Sequence, residues 1–338
     1  MKKVVKFILV MSLSQEVKLM FWEIFFGVLA FLIFVVLATS FICFYKIFYS
    51  QKSKRAKIGG PIEIPDGEIY EPFREDMVSW VKEVRAMPCK EVEITSFDGL
   101  LLCGRFYCYE EGAPIEILLH GYRGNSERDL SAGVLRCFKR GRSALLIDHR
   151  GSGRSEGNVI TFGINESRDL EKWVELVANE LSPNSKIIIT GVSMGAATVM
   201  IAASRSLPGN VVAALADCGY TSGKEIIKKV MREMKLPADV LYPFARLGGK
   251  LFGGFDIDEF SPIESMKNAK IPVIFIHGDT DDFVPCDMSR QNFEACITQK
   301  KLVIIKNAGH GICYPVDPEL YLASLDEFFT PLLTSTKN

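Results

Sequence analysis

Five residues in the middle of the chain, Gly191-Val192-Ser193-Met194-Gly195, constrain its fold more than any other feature, because of what stands on either side of them. Ahead of them the run KIIIT at 186–190 reads as a fully buried strand, and behind them AATVMIAASRS at 196–206 reads as a helix of small residues. A strand that turns directly into a helix needs glycine where the backbone reverses, and the turn presents its central side chain at the tip. Such a turn belongs to a sheet whose strands are joined by helices.

The flanking sequence agrees. Short apolar runs recur at 115–119, 144–147, 211–216, 271–277 and 302–306, and helical periodicity fills 166–181 and 317–329. Strand and helix in alternation predict an α/β architecture, a mainly parallel central sheet with helices on both faces. Before it, EVEITS at 91–96, a turn at Asp98-Gly99 and an apolar run through 100–107 predict an opening β-hairpin.

Outside this pattern lies a run without a single charge, IFFGVLAFLIFVVLATSFICFY at 24–45. As a helix it spans roughly 33 Å, enough to cross a bilayer core. It is too long for the apolar core of a cleavable signal, lacks a small-x-small cleavage site, and is apolar on every face, unlike a surface helix. Residues 1–50 are therefore assigned to an uncleaved, single-pass transmembrane anchor. Residues 51–87 are assigned to a juxtamembrane linker, with a basic run, a break at Gly59-Gly60-Pro61 and a short helix near 74–85. Lys2, Lys3, Lys6 and Lys18 precede the span, and the stronger cluster Lys46, Lys52, Lys54, Arg55 and Lys57 follows it, which favours a cytoplasmic body. Nine cysteines without the spacing of a disulfide framework or a zinc site lean the same way.

Charge excludes one class of partner. With 40 Lys+Arg against 41 Asp+Glu the net charge is −1, so nucleic acid, which is held by clustered positive excess, is not expected.

The exposed serine points to nucleophilic catalysis. A hydroxyl attacks poorly unless an imidazole takes its proton and a carboxylate orients that imidazole. Four histidines are available. His120, His149 and His277 sit in HGYRGN, DHRGSGRS and HGDTDDFVP and read as structural, whereas His310, between glycines after the last strand, gives the order serine, acid, histidine. The acid belongs on the loop after the preceding strand, where Asp279, Asp281 and Asp282 cluster. The backbone N–H of Met194, at the start of the following helix, is placed to meet a developing oxyanion.

Taken together, HGYRGN, DHRGSGRSEG, GVSMG, HGDTDDFVP and NAGHG resemble the α/β-hydrolase superfamily over roughly 88–330, and look most like membrane-tethered bacterial members near its serine aminopeptidase-like, prolyl oligopeptidase-like and cinnamoyl-esterase-like branches. The resemblance implies Ser193 as nucleophile, His310 as base and Asp281 as acid, with Asp282 in reserve, and Tyr122 as the second backbone donor to the oxyanion. HGYRG stands where lipases carry HGGG, which weakens the expectation of their acyl-chain preference. Asp148 and Arg150, in DHRGSGRS, are expected to brace the loop beneath the site, Asp217 likewise, and Cys286 and Cys313 to take no part in chemistry.

The expected protein is a serine ester hydrolase working through an acyl-enzyme, with a catalytic domain at 88–331 and no metal or organic cofactor. A serine peptidase of aminopeptidase or oligopeptidase type, a lysophospholipase-like lipid hydrolase and a non-catalytic membrane-tethered binding module are the alternatives, so the expected partners are a small ester or peptide and the membrane. A small helical cap is expected at about 219–262, where Ile226, Ile227, Val230, Met231 and Met234 share one helical face that either roofs a pocket or packs on the sheet. Lys224, Lys228, Lys229, Arg232, Lys235, Arg246 and Lys250 would suit an anionic surface or simply face solvent.

Overall fold

The apolar runs all become strands: β1 (Lys90–Thr95), β2 (Leu101–Tyr107), β3 (Ile115–Leu119), β4 (Ser143–Ile147), β5 (Ile187–Val192), β6 (Val211–Asp217), β7 (Val273–Gly278) and β8 (Lys300–Ile305). This is seen in a computed structural model that describes residues 2–51 and 59–335. One sheet runs β1-β2-β4-β3-β5-β6-β7-β8, antiparallel through the opening hairpin and β4, parallel thereafter. Side chains of successive strand residues point to opposite faces, so Ile115, Ile117 and Leu119 join one core and Leu118 the other.

Helices cover both faces. α1 is Lys2–Ile47, α2 Arg74–Ala86, α3 Ser126–Phe138, α4 Ile164–Leu176, α5 Met194–Ala202, α6 Gly223–Glu233, α7 Ala238–Gly253, α8 Pro262–Met266, α9 Cys286–Ala295, α10 Cys313–Val316 and α11 Pro318–Thr334. Trp173 and Val174 of α4 and Val199 and Met200 of α5 fill one core. Val134 and Leu135 of α3 and Tyr321, Leu325 and Phe329 of α11 fill the other side. Asn125 caps α3 by accepting the N–H groups of Glu127 and Arg128, satisfying two of the donors that a helix start leaves free.

One charged cluster is sunk in this packing. Glu116, on the otherwise apolar β3, is fully buried and lies 2.6 Å from both Arg136 and Arg142, with Thr190 donating at 3.1 Å. Burial pushes its pKa up, but the two guanidiniums outweigh that and hold it at about 2. The cluster ties β3, α3, β4 and β5 together.

The amino-terminal region adds two features. The helix around the apolar run extends on both sides of 24–45, and its end packs on the body. Phe44 and Phe48 are buried, Tyr49 bridges Val159, and the amide of Ile160 donates to the carbonyl of Phe48 at 2.8 Å. The segment expected as linker is folded from residue 59 onward: α2 packs on α3 through Val84, and Arg85 donates to both Glu127 carboxylate oxygens and to the Gly60 carbonyl. Apolar Met77, Trp80, Val81 and Val84 recur on one side of α2, which explains why it docks instead of spanning solvent. The basic residues Lys52, Lys54, Arg55 and Lys57 lie outside the described residues.

Candidate active site

Ser193 occupies the turn between β5 and α5 with φ 56° and ψ −114°, a left-handed backbone that a non-glycine residue adopts only when its surroundings enforce it. They do so here through two glycines. A Cβ on Gly191 would strike the backbone of Gly195, and one on Gly195 would strike the carbonyl of Leu119. The amide of Ser193 donates to the carbonyl of Asp217 at 2.8 Å, fixing the turn to β6.

His310 reaches the same point from the loop after β8. Its Nε2 accepts the Ser193 hydroxyl at 2.9 Å and its Nδ1 donates to Asp281 Oδ2 at 2.7 Å. The ring of Phe283 lies edge-on to the imidazole at 5.0 Å, and the Tyr70 hydroxyl donates to the His310 carbonyl at 3.0 Å.

Asp281 is itself held on four sides. Oδ1 accepts the amides of Phe283 and Val284 at 3.0 and 2.8 Å, and Oδ2 accepts His277 Nε2 at 3.1 Å besides His310. His277 Nε2 also faces the Val284 carbonyl at 2.8 Å, which can only accept, so that nitrogen carries the proton and Nδ1 accepts the Ser289 hydroxyl at 2.6 Å. Burial raises the Asp281 pKa, yet hydrogen bonds from His277 and His310 prevail and lower it to about 2, keeping the carboxylate ionised. The neighbouring Asp282 is exposed and contributes only its backbone carbonyl, to Lys229, so the structure brings Asp281 to the imidazole and leaves the reserve candidate outside.

The two expected N–H donors flank the serine. Met194 is the first residue of α5, where a helix has no internal acceptor for its amide. Gly121 packs against Ser193, and the backbone amide of the next residue, Tyr122, meets no protein acceptor among the described residues. The Tyr122 side chain points away from the reacting atoms: its hydroxyl donates to the carbonyl of Ile47 at the end of α1, at 2.6 Å.

The residues read as structural lie beneath the site. His120 Nδ1 donates to the Gly121 carbonyl and its Nε2 accepts the His149 amide, and burial lowers both histidines' pKa values, so they stay neutral. Asp148 accepts the amides of Ser126 and Arg154. Arg150 pairs with Asp169 and Asp98. Asp217 accepts the Tyr321 hydroxyl at 2.9 Å, and burial raises its pKa. The Cys218 thiol lies within 4.8 Å of Asp281 and His310, so those three could in principle ligate a metal. Burial, with Asp217 and Asp281 beside it, raises that thiol well above its ordinary range. A thiol kept protonated is a poor ligand.

Beside Ser193 is a cavity of about 320 Å³. Its roof is not the cap. Tyr70, Met77 and Trp80 from the segment expected as linker line it with Phe283 and Tyr314. Of the expected cap face, Ile226, Ile227 and Met231 pack inward with Phe162 and Tyr220, and Met234 is exposed. The helical spacing of Met77 and Trp80 was open to view, but nothing local to 68–86 shows that it folds back over a serine more than a hundred residues later.

The family model described as "alpha/beta hydrolase fold" matches residues 117–249. Together with the sheet order and the turn at Ser193, this gives the chain the α/β-hydrolase fold. Among curated proteins it is similar to the uncharacterized protein YqkD of Bacillus subtilis, 31% identical over 198 residues, covering 58% of this chain and 65% of that one. It is also similar to protein bem46 of Schizosaccharomyces pombe, 25% identical over 194 residues, covering 56% of this chain and 59% of that one. The matches thus span just under two thirds of these relatives. Among solved structures, an esterase of Pyrococcus furiosus aligns with TM-score 0.61 at 24% identity, over 80% of this chain and 97% of that one. An acylaminoacyl peptidase of Pyrococcus horikoshii aligns with TM-score 0.53 at 19% identity, over 76% and 44%. At such identities these likenesses show the fold alone.

Proposed function

We propose that the protein is a serine hydrolase, anchored in a membrane by α1, that cleaves carboxylic esters. The observation carrying this reading is the unbroken hydrogen-bond chain Ser193–His310–Asp281, at 2.9 and 2.7 Å, opening on a cavity. In the proposed reaction Ser193 Oγ attacks the ester carbonyl while His310 Nε2 takes its proton. Asp281 holds the imidazole and stabilises the cation that forms. The N–H groups of Tyr122 and Met194 receive the oxyanion. The tetrahedral intermediate collapses, expelling the alcohol with the proton from His310, and leaves an acyl-serine. Water, deprotonated by the same imidazole, releases the acid and restores the enzyme.

The membrane part of the proposal is supported by 17–47, a stretch long and apolar enough to cross a bilayer, whose side chains are uncovered as far as residue 37. A cytoplasmic body is supported by the cationic residues after the span and by nine free thiols. Protease accessibility in sealed vesicles tests the side.

Aryl esters and aminoacyl amides offered side by side test the chemistry. Ester turnover exceeding amide turnover by orders of magnitude is expected; comparable amide turnover would make the protein a peptidase.

A further inference from the structure

The charged and apolar surfaces of the cap separate cleanly on α7. Ala238, Tyr242, Ala245 and Gly249 face the cap's own core. Asp239, Arg246 and Lys250 form one flank, and on the other flank α1 packs against α7: a Cβ on Gly248 would strike the carbonyl of Ser40, and Phe252 meets Phe41 and Phe44 at 5.2 and 5.9 Å. Small residues that let two backbones approach this closely are what helices use to associate in lipid. Between these flanks, opposite the core, Val240, Phe244, Leu247 and Leu251 recur at helical spacing, with Val240 62% and Leu251 53% exposed. Met234 and Leu236, just before the helix, are also exposed.

We propose that this outer face of α7 is seated in the lipid bilayer alongside α1. The occupant follows from continuity. Phe41, Ile42 and Tyr45 of α1 are uncovered at the level where α7 packs, so lipid that surrounds those residues also meets the stripe beside them. Attraction to anionic headgroups is not the driving force. Lys228 pairs with Asp239, Lys229 with Glu233, and Arg246 and Lys250 with Asp256, leaving the cap's positive charge largely answered within the protein. α7 is thereby an interfacial helix held at fixed depth by the span. The proposal rests on α1 crossing the bilayer and is independent of the hydrolase reading.

The test uses the full chain in phosphatidylcholine vesicles whose acyl chains carry bromine, a contact quencher of tryptophan. The emission lost between the unsubstituted protein and Trp22→Phe, both of which keep Trp80 and Trp173 in the body, reports on the span at residue 22 of α1. Val240→Trp, made together with Trp22→Phe, reports on the face once the emission of Trp22→Phe alone, from Trp80 and Trp173, is subtracted, and Ile297→Trp treated the same way serves as the control, since residue 297 precedes β8 at the end of the sheet away from Ser193. About a twofold loss of emission from the tryptophan at 240, and none from that at 297, is expected for a face sunk roughly 5–10 Å into the headgroup and acyl boundary. Quenching of Trp22 without quenching at 240 overturns the proposal and leaves the span intact. An unquenched signal at 240 that changes with protein density in the vesicle would assign the face to a second copy and also overturn it. Loss of quenching at Trp22 removes the span and the proposal together. Esterase assays on the same vesicles report separately on Ser193.

Discussion

At Ser193 the backbone is held left-handed by Gly191 and Gly195, so the hydroxyl stands where His310 can reach it, and Asp281 orients that histidine from a loop whose own amides hold the carboxylate. Ser193→Ala is expected to abolish ester turnover while leaving the melting temperature nearly unchanged. Asp281→Asn should lower kcat by about four orders of magnitude, as for a triad acid replaced by its amide. Asp282→Asn, altering an exposed side chain, should stay within about twofold; the reverse order in steady-state kinetics would reassign the acid. Asp281 also contributes stability. Its pKa, about 2, lies below that of an unfolded carboxyl at about 3.9, so the folded state binds its proton less readily. That contribution, on the order of 2 kcal/mol, is complete above about pH 4 and is lost as pH falls towards about 2. Thermal unfolding of wild type and Asp281→Asn should therefore differ most near neutrality and converge in acid. At this scale much was legible, because a serine between glycines, a histidine between glycines and an acid cluster each mark a turn. The choice of Asp281 over Asp282 needed the resemblance, and the role of Tyr70 needed the fold.

Among the elements, the strands could be read because six are short apolar runs bounded by turn residues and the opening two form a hairpin around Asp98-Gly99, and all eight form where those patterns stand. α3 and α9 could not. SERDLSAGVLRCF carries a glycine in mid-helix and CDMSRQNFEA is largely polar; α3 is capped by Asn125 and packs through Leu130 and Val134, whereas α9, without a side-chain cap, packs on the sheet through Phe293. The segment at 51–87 misled for a related reason: its glycine and proline break marks a loop correctly, but α2 beyond it is stabilised by α3 and by Arg85 with Glu127, neither of them a local signal. Two elements yield predictions. Glu116→Gln should cost about 3–5 kcal/mol in denaturant unfolding, since Arg136 and Arg142 would remain buried without their partner. Tyr122→Phe removes the bond between the loop after β3 and the Ile47 carbonyl. A looser oxyanion donor should lower kcat roughly tenfold with KM little changed, a fraction of what losing a donor outright costs. A KM effect alone, with kcat unmoved, would contradict this role for the Tyr122 hydroxyl.

For the whole molecule, the amino-terminal apolar helix and the α/β body are parts of one packed unit. Phe44 and Phe48 sit in the same cluster as Met194, Phe162 and Phe255, so the end of α1 reaches the wall behind Ser193. Removing residues 1–36 should leave the folded body intact in detergent, whereas removing 1–50 should destabilise it by several kcal/mol, at about 1.5–3 kcal/mol for each buried phenylalanine lost. Equal melting temperatures for the two truncations would show that 37–50 is a tether after all. The apolar run at 24–45 disclosed a helix long and apolar enough to cross a membrane but not this docking, because Phe44 looks no different in sequence from its exposed neighbours Phe41 and Ile42. The central question for the molecule is whether Ser193 is an activated nucleophile in this folded unit. Treating the full chain and its Ser193→Ala variant with a fluorophosphonate probe and reading intact mass tests this directly. One probe mass added to wild type and none to the variant is the expected result. Well-folded wild type that stays unlabelled, or a variant labelled to the same extent, would contradict it.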